Sequence, residues 1–295
     1  PAGQFAPTSP AAIDAIPAEA GPAALRDAAA GGDARAMFEI GSRYAEGVGM
    51  KADMGKAAEW YRKAAGLGLP LAQYRIGSFY EKGLGVERST EKARSWYGMA
   101  AEKGNANAMH NLAVLYAMDA KSEADNQAAA RWFLAAAELG VKDSQFNLGI
   151  LSAKGVGMKQ NLEEGYKWFA LVAKAGDKDA AAKREEIAKS LRPEQLARAR
   201  AAAELWRAKP LDAAANAVDI PQAWQGEAPV AEVDMKKAVQ NIQLILGKNG
   251  YDAGKPDGVM GARTKNAIKA FQKDNGIAPS GEIDETLVQA LLARK

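Results

Sequence analysis

The sequence predicts an all-α protein, an α-solenoid of four stacked helical hairpins followed by a small domain of three helices. Four times a tryptophan precedes a second aromatic residue, each pair 36 residues after the last: Trp60-Tyr61, Trp96-Tyr97, Trp132-Phe133 and Trp168-Phe169. A fixed period of about 20 to 50 residues indicates a repeat array, in which stacking buries faces that a single repeat cannot bury. Residues 234–295 lack this period and divide into three amphipathic segments.

The composition of the chain excludes several classes of function. The net charge of +3 is small and evenly spread, so it does not indicate a nucleic-acid partner. The absence of cysteine excludes disulfides, thiol catalysis and cysteine-ligated metals. No stretch approaches the roughly 18 apolar residues of a membrane helix. The chain begins with Pro1 and not with methionine, so we expect a processed product or a segment of a longer polypeptide, with any membrane span upstream.

The array is predicted to be preceded by a linker. Residues 1–21 contain four prolines among alanines, and proline fixes φ and favours extended chain. Residues 22–208 are predicted to form the solenoid with its caps, with a short first helix that starts near Pro22. The four repeats are 33–68, 69–104, 105–140 and 141–176.

Within each repeat the pattern predicts two helices. In the first repeat, Ala36, Ile40 and Tyr44 share one helical face because they are four residues apart. Gly47 then favours a helix end, and Asp53 is a candidate N-cap for the second helix. The small residues opposite the aromatic pairs let the helix axes approach closely, so the pairs are interpreted as packing residues.

The third repeat and the chain after the array depart from the pattern. Asp119 and Lys121 replace the loop glycines, so either this loop differs in conformation or the first helix runs further. Beyond Gly176, two helical segments divided at Pro193 are predicted to form a polar closing cap. Residues 209–233 lose periodicity and are predicted to be a second linker, in which Trp224 either packs back onto a neighbouring domain or faces a ligand.

These residues carry a family resemblance. The repeated pattern of alanine, an aliphatic residue with glycine, tyrosine, a glycine-rich loop and the tryptophan pair resembles the Sel1-like repeat, a relative of the tetratricopeptide repeat. This resemblance implies a superhelical platform for protein partners and implies no catalysis.

Residues 234–295 resemble the peptidoglycan-binding domain found beside many cell-wall hydrolases. The matching residues include Ile242-Gln243, Leu246, Gly250-Tyr251, Asp257-Gly258, Gly261, Thr264, Phe271-Gln272 and Gly281. The resemblance implies that peptidoglycan is bound near a loop and the start of the second helix, by Tyr251, Asp257, Arg263 and Thr264. Tyr251 packs either on a sugar or on the loop, and a turn-forming bond to the backbone is the favoured role of Asp257.

A second candidate site lies on the first helices of the repeats. One column of this array is polar in all four copies, at Glu39, Arg75, Asn111 and Asn147. In related arrays the first helices line the surface that receives a partner. Asparagine there either bonds an extended peptide backbone or ties adjacent turns together, and the sequence leaves both roles open.

Catalysis is not predicted. The single histidine, His110, shares a column with Phe38, Tyr74 and Phe146, which favours a packing role, and one histidine cannot form a metal cluster. Carboxylate pairs such as Glu163-Glu164 are adjacent on a helix, where side chains diverge. We therefore expect no catalytic residue, no metal and no cofactor.

Together these features predict a scaffold that binds an envelope or polar signalling protein through the repeats and peptidoglycan through the last domain. The combination resembles the periplasmic region of the polar organelle development proteins, which implies a periplasmic location and a role at the cell pole. The alternative is a regulator or accessory subunit of a cell-wall hydrolase. A true lytic enzyme is the third class, and zymography on purified sacculi would reveal it.

Overall fold

The computed structural model describes residues 16–225 and 235–292. Two compact units divide the chain, Pro1–Gly226 and Glu227–Lys295. Most of the first expected linker, residues 1–15, lies outside the described residues, as do residues 226–234 and 293–295. Every regular element in the described ranges is helical.

The first unit is a row of helical hairpins. Helix α1 (Ala23–Ala30) precedes four hairpins, whose helices are α2 (Ala34–Glu46) and α3 (Met54–Gly66), α4 (Pro70–Lys82) and α5 (Thr90–Glu102), α6 (Ala106–Met118) and α7 (Glu123–Glu138), and α8 (Lys142–Lys154) and α9 (Leu162–Lys174). The array is closed by α10 (Lys178–Ser190) and α11 (Pro193–Leu205). Pro193 begins the last of these helices, at the position where its missing N–H has no intrahelical acceptor.

Helix ends follow from local chemistry. The side chain of Asp53 accepts a hydrogen bond from the N–H of Lys56 at the start of α3, which satisfies one free donor. Gly47 ends α2 with a φ of 74°, in the left-handed region that favours glycine. The same two signals recur in the second and fourth repeats, so the 36-residue period of the sequence becomes a period of hairpins.

The second aromatic residue of each pair lies deepest in the array. The rings of Tyr61, Tyr97, Phe133 and Phe169 are buried, with at most 3% of each residue exposed. Among the tryptophans that precede them, only Trp168 is buried, and the other three are partly exposed. The pairs therefore do hold the hairpins together, but the second ring contributes more to the core than the tryptophan.

The third repeat differs in its loop and not in the length of its first helix. Helix α6 ends at Met118, in register with the other first helices, so the expectation of a longer first helix is wrong. Helix α7 instead begins three residues early, at Glu123. Ser122 and Asp125 form a reciprocal capping box there, which satisfies donors at both positions and starts the helix sooner.

Residues 209–225 do not form the open linker expected from their sequence. They include the short helices α12 (Ala213–Asn216) and α13 (Gln222–Gln225), which contact α4 and α1 respectively. Proline and the lack of periodicity predicted a linker, but single anchoring residues hold this chain against the array. We call residues 206–225 the return segment, because they run back from the fourth repeat towards the first.

The second unit contains α14 (Met235–Lys248), α15 (Ala262–Asp274) and α16 (Glu285–Leu292). Leu246, Ile268, Phe271 and Leu287 are completely buried and form its core. The chain between α14 and α15 is irregular and uses glycines with positive φ, among them Gly250 and Gly258. This loop carries two of the four residues that the sequence assigned to peptidoglycan, Tyr251 and Asp257, and the start of α15 carries the other two, Arg263 and Thr264.

Candidate binding sites

One buried glutamine organises the loop of the second unit. The amide nitrogen of Gln243 on α14 lies 3.1 Å from Oδ1 of Asp257, 3.1 Å from the carbonyl of Val259 and 3.0 Å from Oγ1 of Thr264. Its amide oxygen accepts from the N–H of Gly258 at 2.9 Å. A single side chain thus ties the loop to two helices. The family resemblance includes Gln243 but does not imply this role.

Two of the predicted residues shape the loop. Thr264 is 2% exposed and donates to the carbonyl of Ala253 at 3.1 Å. It is therefore buried beneath the loop and affects the surface only by holding the loop in place. Asp257 accepts from the N–H of Val259 at 2.9 Å, which is the turn-forming bond favoured by its position. This bond, followed by the one from Gln243, lowers the pKa of Asp257.

The other two predicted residues, Arg263 and Tyr251, each bond an exposed acidic side chain. Arg263, at the start of α15, makes two hydrogen bonds of 2.9 and 2.7 Å to the carboxylate of Asp252, and both side chains are about 70% exposed. This pairing lowers the pKa of Asp252 and raises that of Arg263. Tyr251 packs edge-on against Phe271, and its hydroxyl donates to Asp274 at 3.0 Å. Arg263 and Asp252 therefore form an exposed charge pair on this surface, and sequence reasoning missed Asp252.

The polar column of the array does not form one uniform groove. Glu39 bonds Arg43 at 3.0 Å, and burial raises the pKa of Glu39 although that arginine opposes the shift. Asn111 donates to the hydroxyl of Tyr97 at 3.0 Å, so it ties neighbouring hairpins together. Arg75 is exposed.

The hydroxyl of Tyr97 connects this column to the core. It accepts from Asn111 and donates to the carboxylate of Glu81 at 2.6 Å. Burial raises the pKa of Tyr97, and the bond to Glu81 raises it further, so the phenol remains protonated at neutral pH.

The fourth member of the column, Asn147, lines a cleft of about 630 Å³ between the fourth repeat and the closing cap. The cleft has both charged and apolar walls, formed by Lys142, Asp143, Phe146, Val172, Ala175, Gly176, Asp177 and Asp179. An open cleft of mixed polarity suits a polypeptide segment better than a small apolar molecule.

The return segment is held at the first member of the polar column, through the arginine that Glu39 bonds. The Nη2 atom of Arg43 donates to the carbonyls of Trp224 and Gln225, at 2.8 and 2.9 Å. Arg43 also donates to the carboxylate of Glu39, so Glu39 orients the arginine that holds this segment. Trp224 is 7% exposed and belongs to the core cluster of the first repeat. Of the two interpretations of Trp224, packing onto the array is therefore confirmed.

No metal site is apparent among the described residues, where no three potential ligands converge. His110 bonds the hydroxyl of Ser144 through Nδ1 at 2.8 Å and meets the ring of Phe133 edge-on. Burial lowers the pKa of His110. None of the helices in the described ranges has the length and apolar character needed to cross a bilayer.

Comparison with known proteins identifies both units. The Sel1 repeat family matches residues 34–69, 70–105, 106–141 and 142–177, one residue later than the repeats defined above. The family described as a putative peptidoglycan binding domain matches residues 236–291. The two matches lie in different compact units of the structure.

One solved structure supports the fold of the array, and a second shows sequence similarity to it. A Sel1 repeat protein from Oxalobacter formigenes is 25% identical, with a TM-score of 0.51, over 61% of this chain and 76% of that protein. A protective antigen of uropathogenic Escherichia coli strains, which displays an SLR fold, is 26% identical, with a TM-score of 0.41, over 62% of this chain and 47% of its own. The chain thus contains four Sel1 repeats and, after them, a domain of the peptidoglycan-binding family.

Proposed function

We propose that the protein is a non-catalytic scaffold, which binds protein partners through its Sel1 repeats and peptidoglycan through its second unit. One observation carries the proposal, namely that the two matched families are binding modules and lie in separate compact units of one chain. A protein with both modules connects a protein complex to the cell wall.

Location and biological role are part of the proposal. Peptidoglycan as a ligand favours the periplasm, and the combination of modules favours a role at the cell pole, as in the polar organelle development protein PodJ. A fluorescent fusion expressed in the native cell would test both statements. Polar foci are expected, and a uniform cytoplasmic signal would contradict them.

Wall binding can be tested by pelleting with purified sacculi. We expect the full chain to sediment and a chain that ends at residue 233 to remain in the supernatant. Equal sedimentation of the two would contradict the anchoring role. A wall hydrolase would also clear the sacculi, so release of soluble fragments would contradict the non-catalytic assignment.

Point variants locate the wall-binding surface. Arg263 is exposed and stands at a helix start, where a guanidinium and free N–H groups suit the carboxylates of a wall peptide. Arg263→Ala is expected to weaken sedimentation several-fold. Arg184→Ala is the matched control, because Arg184 is also paired with an acidic neighbour but lies in the closing cap of the array.

Partner binding is tested separately, by recovery of envelope proteins on the immobilised chain. We propose that Arg75 and Asn147 contact the partner, since Arg75 is exposed and Asn147 lines the open cleft. Substitution of both by alanine is expected to reduce recovery. Undiminished recovery would remove the polar column from the binding surface.

A further inference from the structure

The return segment follows the array from its fourth repeat to its first. Its first residue, Trp206, meets the ring of Trp168 at 5.9 Å between centroids. The N–H of Lys209 donates to the carbonyl of Glu138 at 2.8 Å, at the end of the third repeat. The segment then reaches the turn between the second and third repeats and finishes beside Arg43 in the first repeat.

The first strong anchor is a set of amide contacts at the turn before α6. The side chain of Asn216 donates to the carbonyl of Gly104 at 3.0 Å and accepts from the N–H of Ala106 at 2.9 Å. In return, the buried side chain of Asn105 donates to the carbonyl of Ala215 at 2.7 Å. The turn thus recognises one asparagine amide and one backbone carbonyl.

The second anchor is an aromatic ring with a polar end. Trp224 packs among buried residues of the first repeat, with the guanidinium of Arg35 5.6 Å from its ring centroid. Arg43 bonds the carbonyls that follow the ring, and only 8% of Arg43 is exposed. A buried arginine that bonds two backbone carbonyls at the end of a short helical turn recognises main chain and imposes few demands on the side chains of the segment.

Between these anchors the segment contributes little to the core. From residue 207 to residue 225, only Ala215 and Trp224 are buried. Its hydrogen bonds to the array go to the inter-repeat turns and Arg43, while the hairpins pack on one another without it. The segment can therefore leave while the hairpins stay packed on one another, although its departure exposes the part of the first-repeat cluster that Val218, Ile220 and Trp224 cover.

We propose that the surface beneath residues 212–225 is a partner-binding surface of the array in addition to the cleft at Asn147, and that the return segment fills it in cis. The matching partner is a polypeptide segment that presents an asparagine and, eight residues later, a tryptophan, each in a short helical turn, as Asn216 and Trp224 do here. This inference rests on the proposed function, since it names the surface on which the array binds a protein.

Tethering explains why the surface would be occupied in the free protein. A segment joined to its own receptor by a short connection has an effective concentration of roughly millimolar. A partner at micromolar concentration must compete with it, and its apparent affinity falls in proportion to the fraction of molecules with an open surface. Weakening either anchor in the chain should therefore increase affinity for the same sequence added in trans.

The probe is a labelled synthetic peptide of residues 207–225, and binding is measured by fluorescence anisotropy on the full chain. Trp224→Ala in the protein removes an anchor of the internal segment but leaves its receptor intact. We expect this variant to bind the peptide at least about tenfold more tightly than the unmodified protein does. Asn216→Ala, which does not touch the aromatic site, should act in the same direction.

Two controls make the result specific. Gln222→Ala alters an exposed residue of the same segment and should leave the affinity unchanged. Asn105→Ser, combined with Trp224→Ala, keeps an N-cap side chain for α6 but removes the donor to the peptide carbonyl, and should reverse the gain. Circular dichroism of each variant establishes that the array is folded.

The inference is overturned if folded Trp224→Ala and Asn216→Ala proteins bind the peptide no better than the unmodified chain. It is also overturned if they form dimers by exchange of the segment and bind no peptide. Either result leaves recovery of envelope proteins by the array, the test of the proposed function, unaffected. The two proposals can therefore fail independently.

Discussion

Single residues set the distance between the helices of a hairpin. A Cβ atom added to Gly77 would lie 2.8 Å from the ring of Tyr97, and one added to Gly41 would lie 2.9 Å from Tyr61. The third repeat has Ala113 in this column, within the same cluster as Phe133, so that hairpin accommodates the larger residue. The small residue and the ring therefore form a matched pair in each repeat.

Substitution at Gly77 tests this pairing. Gly77→Ala is expected to lower the free energy of unfolding by about 1–3 kcal/mol, because the overpacked ring must shift against a buried wall. Gly98→Ala is the control, since it lies within α5 with nothing within 4 Å of the added atom and should gain up to about 1 kcal/mol from helix propensity. Urea unfolding monitored by tryptophan fluorescence measures both, and equal effects would refute the pairing.

The second unit uses one residue type twice for the same purpose. Gln243 accepts from the N–H of Gly258, and Gln272 accepts from the N–H of Gly281, each at 2.9 Å. Both glutamines are at most 3% exposed, and both glycines have a φ near 80°. Because a buried amide must find partners for both its ends, each glutamine holds an irregular loop in one conformation.

At the scale of elements, the loop glycines connect one hairpin to the next. Gly85 has a φ of 63°, and an added Cβ would lie 2.2 Å from the carbonyl of Met54 in the preceding repeat. Gly157 meets Asn126 of its preceding repeat in the same way, at 2.1 Å. The second loop glycine is therefore a point of backbone contact between repeats as well as a site of backbone freedom.

The first repeat provides a control for this contact, because no repeat precedes it. Gly49 has a φ of 74° with nothing within 4 Å of an added Cβ. Gly49→Ala and Gly85→Ala share a backbone strain of about 1–2 kcal/mol, and Gly85→Ala should cost roughly 1–3 kcal/mol more because two repeats must separate. Thermal and urea unfolding measure the difference. A difference below about 0.5 kcal/mol would contradict the contact.

The elements also show what sequence could and could not predict. The hairpins were predictable because apolar periodicity, capping residues and glycine ends agree in three of the four copies, and the three helices of the second unit carry similar signals. The return segment was not predictable, since its anchors are amide contacts from Asn105 and Asn216 that leave no periodic pattern. Trp224 was its one visible signal.

The candidate sites were less predictable than the fold. Sequence placed Asp257 in the loop and Thr264 at the helix start that follows it, but whether a side chain faces solvent or the interior depends on contacts from Gln243, which lies outside the loop. Asp252 was missed because an exposed acidic residue resembles any other surface charge until Arg263 is seen beside it. A charge pair formed across a loop has no fixed spacing in sequence.

For the whole molecule, one titrating group is expected to affect stability near neutral pH. His110 is the only histidine of the chain, and burial lowers its pKa in the folded protein. The unfolded chain, with a pKa of about 6.5, then binds the proton more readily. This contribution to stability is complete above that value and is lost as the pH falls towards the lower pKa of the folded state.

The expected result is a decrease in the free energy of unfolding between pH 7.5 and 5.5 that depends on His110. His110→Phe should flatten the profile, because the same column holds phenylalanine in the first and fourth repeats. The lost bond to Ser144 lowers stability equally at each pH and does not change the slope. Urea unfolding at several pH values provides the measurement, and parallel profiles would contradict the assignment.

The return segment also bears on how such an array can evolve. Solenoids commonly gain or lose units, because each unit contacts only its neighbours. Here Asn216 and Trp224, which are eight positions apart, join the turn at Gly104 to Arg43. That span reaches at most about 3.6 Å per residue. If the second repeat were duplicated, the two anchor sites would lie further apart, and either Asn216 or Trp224 would lose its contacts with the array. The length of the return segment therefore limits the number of repeats that can lie between its two anchors.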